Sequence, residues 1–173
     1  WESKPDYQGT ASIGEISTLR LENVSYGYTP EQLLLREVNL EFEKGHIYLI
    51  QGHNGSGKTT LFHILTGYYM PLQGAAFASE QAYKGLSISS LRQRLGILPQ
   101  EPQILPMSIW DNITMERDFP EAKIREAARL AGVEDFVHNL KEGYDTLAGD
   151  SGVFLSGGQR QKIALARTIL KEP

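Results

Sequence analysis

Residues 52 to 59 read Gly-His-Asn-Gly-Ser-Gly-Lys-Thr. The spacing matches G-x-x-x-x-G-K-[ST] at every fixed position. Such a segment serves to wrap a dense polyanion, a triphosphate. Several backbone N–H groups must point inward, so the chain has to turn tightly and come close. Gly52, Gly55 and Gly57 permit this because they carry no Cβ. A helix starting near Lys58 would add its positive N-terminal end. Lys58 would place a full charge on the β- and γ-phosphates, and the Thr59 hydroxyl is a hard oxygen ligand suited to Mg²⁺. The plain alternative is a Gly-rich turn with a chance Lys. Context argues against it: an apolar run, Ile47-Tyr48-Leu49-Ile50, precedes the loop, and a helix-like stretch from about Lys58 to Thr66 follows.

A second glycine-opened segment lies at Leu155-Ser156-Gly157-Gly158-Gln159, followed by Arg160-Gln161-Lys162. Gly157 and Gly158 open a helix start to close approach. Its free N–H groups and the Ser156 hydroxyl can meet phosphate oxygens. Alone, this would also suit an ordinary capped helix. Placed about a hundred residues after a phosphate loop, LSGGQ resembles the signature of ATP-binding-cassette (ABC) domains, and the resemblance covers residues from about 19 to the end. It implies that MgATP is held by Gly52, His53, Asn54, Gly55, Ser56, Gly57, Lys58, Thr59 and Thr60. It also implies that Leu155, Ser156, Gly157, Gly158 and Gln159 close over the γ-phosphate held by a second cassette, with two ATPs between two cassettes.

Smaller matches extend the resemblance. Gln100, in Leu98-Pro99-Gln100-Glu101, resembles the family's Q-loop glutamine, which would join Thr59 as a Mg²⁺ ligand while its loop touches a membrane domain. Tyr28, in Val24-Ser25-Tyr26-Gly27-Tyr28, resembles the aromatic that stacks on adenine; the competing Tyr26 reads as a strand residue. The segment from Asp145 to Gly152 resembles the exporter-type stretch before the signature, but Asp150-Ser151 stand where that stretch usually has Glu-Arg. His46, His53, His63 and His138 show no metal-ligand spacing, and Glu121, Glu126, Glu134 and Asp135 read as a solvated helical face.

Hydrolysis in the family also needs an apolar strand ending in Asp, a Glu that polarises water and a switch His. The sequence reaches Lys171-Glu172-Pro173, which in the family come directly before that strand. The expectation is therefore an ATPase as part of a complete protein, with this stretch alone inactive and a strand edge left uncovered beside the phosphate loop. The implied setting is the cytoplasmic face of a membrane, where a transmembrane domain selects the substrate for export. The other classes kept open are a soluble ABC ATPase serving chromosomes, repair or ribosomes, and a binding module without hydrolysis.

The elements that must position these groups follow from periodicity. Leu19-Arg20-Leu21 starts a strand running to about Tyr26, and residues 38–43 alternate strictly, as in a half-buried strand. The run at 47–50 reads as a strand covered on both faces, as in a parallel sheet, and Gly96-Ile97-Leu98 as the end of another. Ile124, Ala127, Ala128 and Ala131 fall on one helical face between Pro120 and Gly132. Ser156 would cap a helix that carries Ile163, Ala166, Ile169 and Leu170, with Leu155 as its staple. The expected fold is α/β: a P-loop core of parallel sheet and flanking helices, an antiparallel β part and a helical subdomain. The expected divisions are an arm at 1–18, the first part of the core at 19–99, the helical subdomain at 100–156, and a signature helix at 157–173 returning to the core.

Composition agrees. The chain has 173 residues, 40% hydrophobic, and a net charge of −4, which gives no basic excess to suggest nucleic acid. It has no Cys, which excludes disulfides and thiolate metal sites. No apolar run reaches the roughly 18 residues of a membrane span, and the first residues do not resemble a signal peptide.

Overall fold

The computed structural model describes residues 9–29, 31–149 and 152–173. The elements run β1 (Thr18–Thr29), β2 (Gln32–Glu43), α1 (Lys58–Leu65), β3 (Gln73–Ala78), β4 (Gln81–Ala82), α2 (Ile88–Gln93), α3 (Ile109–Thr114), α4 (Glu121–Leu130), α5 (Glu134–Val137) and α6 (Gly157–Leu170). They fall into two compact units, one ending at Leu95 and the other spanning Gly96–Pro173.

In the first unit a four-stranded sheet has the order β2-β1-β3-β4, each pair antiparallel. Both strands of the first hairpin form, each longer than periodicity alone indicated. The β1–β2 register pairs Leu19 with Phe42 and Leu21 with Leu40, then shifts before Val24 meets Val38. Asn23 sits in that irregularity with φ 49°, a conformation Asn tolerates better than most residues. Its N–H donates to Asn39 Oδ1 at 2.9 Å, and Asn39 Nδ2 donates back to Asn23 Oδ1 at 3.1 Å. Leu21, Val24 and Tyr26 share one buried cluster with Leu61, Ile64 and Leu65 of α1 and Leu91 of α2. The last carbonyls of α1 and its following turn, orphaned by helix geometry, find side-chain donors: Tyr83 bonds Leu65 O at 2.7 Å, and Arg92 bonds Thr66 O at 3.3 Å and Gly67 O at 2.8 Å.

Two expected strands do not form. Residues 47–50 and 96–98 carry no regular secondary structure and belong to no ladder among the described residues. Ile47 is 100% exposed rather than covered. A parallel strand takes all its ladder bonds from neighbours on either side, and an apolar run states its need for cover without supplying it. The α/β class and the antiparallel part are realised; the parallel sheet is not assembled among the described residues.

The second unit is helical. Ile109 and Ile113 of α3, Ile124, Ala127 and Ala128 of α4, and Ile163, Ala166 and Leu170 of α6 build its core. Helix α4 follows its sequence signals: Pro120 stands at the N-cap, and Gly132, with φ 70°, lies just past the end. Its solvent face carries the ion pairs Glu121–Arg125 and Glu126–Arg129, both at 2.7 Å, with Asp135 paired to Lys162 nearby. No helix among the described residues is long and apolar enough to cross a membrane.

Candidate nucleotide-binding site

The loop before α1 is exposed and curled. Residues 52–55 face solvent, Ser56 and Lys58 are half-buried, and Gly57 is buried. Gly55 and Gly57 have φ of 82° and 88°, in the left-handed region where a Cβ is unfavourable. A Cβ on Gly52 would fall 2.6 Å from Ser56 Oγ, and one on Gly57 would fall 2.9 Å from Leu35 Cδ2. Gly57 is the N-cap of α1, and the first turn carries no acid. A glycine cap leaves the leading N–H groups of the helix without a side-chain acceptor. By contrast α2, α3 and α6 each begin under a serine hydroxyl. Lys58 Nζ donates to Gly52 O and His53 O, each at 2.8 Å, which draws the ammonium over the loop. These features suit a triphosphate: an exposed turn with glycine at 52, 55 and 57, an uncapped helix start, one cation and no opposing carboxylate in the first turn. Thr59, the second residue of α1, is exposed, leaving its hydroxyl accessible to a hard cation.

Tyr28 lies at the end of β1 and is 68% exposed, whereas Tyr26 is buried at 9%. The Tyr28 hydroxyl pairs with Thr60 Oγ1 at 3.1 Å. That bond ties the aromatic to the first turn of α1, two residues from Lys58. Tyr26 stacks on Tyr69 with centroids 5.2 Å apart and planes 6° from parallel. Burial foremost pushes the Tyr26 phenol above its ordinary value, as expected for a core residue.

In the second unit, Ser156 caps α6 in a reciprocal box. Its Oγ accepts from Gln159 N at 3.2 Å, and its own N–H donates to Gln159 Oε1 at 2.8 Å. Leu155 is buried, while Gly157 and Gly158 are exposed, and a Cβ on Gly158 would meet nothing within 4 Å. Helix geometry leaves the N–H groups of these two glycines without an intrahelical acceptor. Gln100 is exposed, and its carbonyl accepts from Gln161 Nε2 at 2.7 Å. Asp150 and Ser151, the departure from the exporter pattern, lie outside the described residues.

Three contributors escaped the sequence reading. Arg160 Nη1 donates to Leu155 O at 3.2 Å, and its Nη2 would lie 3.9 Å from a Cβ on Gly157, so a cation stands beside the signature glycines. Its position directly after Gln159 was the available signal. Arg167 donates to Asn112 O at 2.9 Å. Tyr69 joins Tyr28 only through the fold and left no local signal.

Comparison with known proteins agrees with this geometry. Residues 35–173 match the family described as ABC transporter. The chain is 40% identical over 157 residues to the heterocyst differentiation ATP-binding protein HepA of Nostoc sp., covering 90% of this chain and 26% of that protein. It is 36% identical to the exotoxin translocation ATP-binding protein PaxB of Pasteurella aerogenes, covering 97% and 24%. A solved bacterial Atm1-family ABC exporter with ATP bound superposes with a TM-score of 0.87 at 34% identity, over 96% of this chain and 29% of that one. The chain thus spans about a quarter of the length of the curated relatives it matches. With the phosphate loop, the signature box and four-fifths of the sequence in agreement, this chain belongs to the ABC transporter family.

Proposed function

We propose that this chain is the ATP-binding part of an exporter-type membrane ABC transporter, working at the cytoplasmic face and coupling ATP binding and hydrolysis to substrate export. The carrying observation is the contrast between its two glycine-opened helix starts. One, at Gly57, has no side-chain cap and lies under Lys58. The other, at Ser156, is capped yet exposed at Gly157 and Gly158. The first suits the chain's own triphosphate; the second suits the γ-phosphate of a partner cassette.

In this reading residues 52 to 60 hold MgATP, Tyr28 carries the base, and Thr59 with Gln100 ligates Mg²⁺, which supplies charge neutralisation when bound. Residues 19–99 serve as the first part of the core, 100–156 as the helical subdomain and 157–173 as the signature helix. The partners are a second cassette and a transmembrane domain, with no nucleic acid. Names of relatives such as PaxB, a translocation protein, support export over the soluble ABC alternative. Turnover also needs a group that orients the attacking water, and after the signature this sequence offers Glu172 as its one carboxylate. The 173-residue chain by itself is therefore expected to bind MgATP weakly, or only when completed by the rest of its domain, and to hydrolyse it negligibly.

Titration calorimetry with MgATP, alongside phosphate-release assays, tests the reading. Saturable binding that Lys58→Ala abolishes is expected. No binding in the full-length protein would overturn the nucleotide assignment, and turnover on the order of 1 s⁻¹ from these 173 residues alone would overturn the inactivity claim.

A further inference from the structure

We propose that Tyr69 is a positioning residue for the nucleotide base, holding the Tyr28 ring in the orientation from which it stacks. The proposal rests on the reading of Tyr28 as the base-stacking aromatic and assigns the group that fixes it. Tyr28 is exposed at the end of its strand, where a free ring would sample several rotamers and lose entropy on binding. Three contacts prevent this. Its hydroxyl pairs with Thr60 Oγ1 at 3.1 Å. Its ring stands edge-on to Tyr26, with centroids 5.8 Å apart at 81°, and edge-on to Tyr69, 6.2 Å apart at 85°. Edge-to-face geometry is a favoured aromatic arrangement.

Tyr69 is itself held from two sides. It stacks on the buried Tyr26, and His63 of α1 packs against it edge-on at 4.9 Å and 86°. Burial foremost, then the neighbouring Tyr28, push the Tyr69 phenol above its ordinary value. The Tyr28–Thr60 hydrogen bond links this aromatic group to the helix that carries Lys58.

The test is calorimetry on the full chain with two probes, MgATP and magnesium tripolyphosphate, which shares the phosphates but lacks the base. Tyr69→Phe keeps the ring and its edge-on contact, so ATP affinity is expected to stay within about twofold. Tyr69→Ala should approach the loss from Tyr28→Ala, about tenfold. Tripolyphosphate affinity should stay within about twofold throughout, and the double variant Tyr28→Ala/Tyr69→Ala should lose no more than Tyr28→Ala alone, since groups acting through one contact are not additive. Equal losses for both probes would reduce Tyr69 to a structural role and overturn the proposal. So would unchanged ATP affinity in Tyr69→Ala while Tyr28→Ala is impaired. If Tyr28→Ala itself leaves ATP affinity intact, the base-stacking reading falls first and the proposal with it. Tyr69→Leu keeps much of the side-chain volume without the ring and is expected to lose as much ATP affinity as Tyr69→Ala, so the test survives a misfolded Tyr69→Ala.

Discussion

Lys58 Nζ and the Gly52 carbonyl lie 2.8 Å apart, across the mouth of the turn that separates them in sequence. The cation is thus held over its own loop, with a second bond to His53 O, where both acceptors are exposed carbonyls that water can also satisfy. Lys58→Met keeps the aliphatic stem and removes the charge. Stability should change by no more than about 0.5 kcal/mol. MgATP affinity should fall by at least about tenfold, the scale of a lost charge-assisted contact. Thermal melting with calorimetry checks both; a large drop in melting temperature with affinity preserved would make the lysine a structural clamp.

Gly55 and Gly57 share a left-handed backbone but not its surroundings. A Cβ at Gly55 meets open space, whereas at Gly57 it would press on Leu35 Cδ2 at 2.9 Å. Gly55→Ala should therefore cost about 1 kcal/mol, from strain alone. Gly57→Ala should cost that plus about 1 kcal/mol or more of overpacking. Urea denaturation midpoints of the two variants give the order directly, and equal midpoints would contradict it.

Much of this site was legible because its signals are local. A glycine loop followed by Lys and Thr, Ser156 three residues before Gln159, and Pro120 and Gly132 bracketing an apolar stripe each specify their structure within one or two helical turns. The run at 47–50 forms no strand, for the opposite reason: its apolar composition reports a demand for neighbours, and pairing depends on segments far along the chain. The Tyr26–Tyr28–Tyr69 group was half visible for the same reason. Tyr26 and Tyr28 are two apart on β1, while Tyr69 follows α1 and reaches them only once the helix has packed on the sheet. Asn112, set between Asp111 and Ile113 in the short helix α3, gave no sign that it would be fully buried.

Ser156 has two separable duties, and its substitutions should part them. As N-cap it needs only an acceptor for Gln159 N; toward a phosphate it needs its proton. Ser156→Ala should lower stability by about 1 kcal/mol. Ser156→Asp keeps a good capping acceptor and should restore that stability. It also sets a negative charge beside Gly157 and Gly158, so ATP-induced pairing with a second cassette should be lost. Denaturation curves and sedimentation with ATP read the two effects independently. Pairing preserved in Ser156→Asp would remove the anion role from this helix start.

Asn112 organises the turn that follows Gln100. Its Oδ1 accepts from Leu105 N at 2.9 Å, and its Nδ2 donates to the carbonyls of Leu105, Met107 and Ser108 at 3.0, 3.2 and 3.0 Å. Asn112→Asp is nearly isosteric but replaces the donating amide with an acceptor facing three carbonyls. At neutral pH the loss should be about 3 kcal/mol or more, the scale of a buried, unpaired charge. The introduced carboxyl is disfavoured in its charged form by burial and by those carbonyls, so its pKa in the folded state lies above the unfolded value. The penalty is then smallest below about pH 4, where both states are protonated and one carboxyl O–H can still donate. It grows as pH rises through the interval between the two pKa values. Stability of Asn112→Asp relative to the parent, measured from pH 4 to pH 8, should therefore fall with rising pH; a flat difference would mean that the turn at 105–108 opens to let water reach the carboxylate.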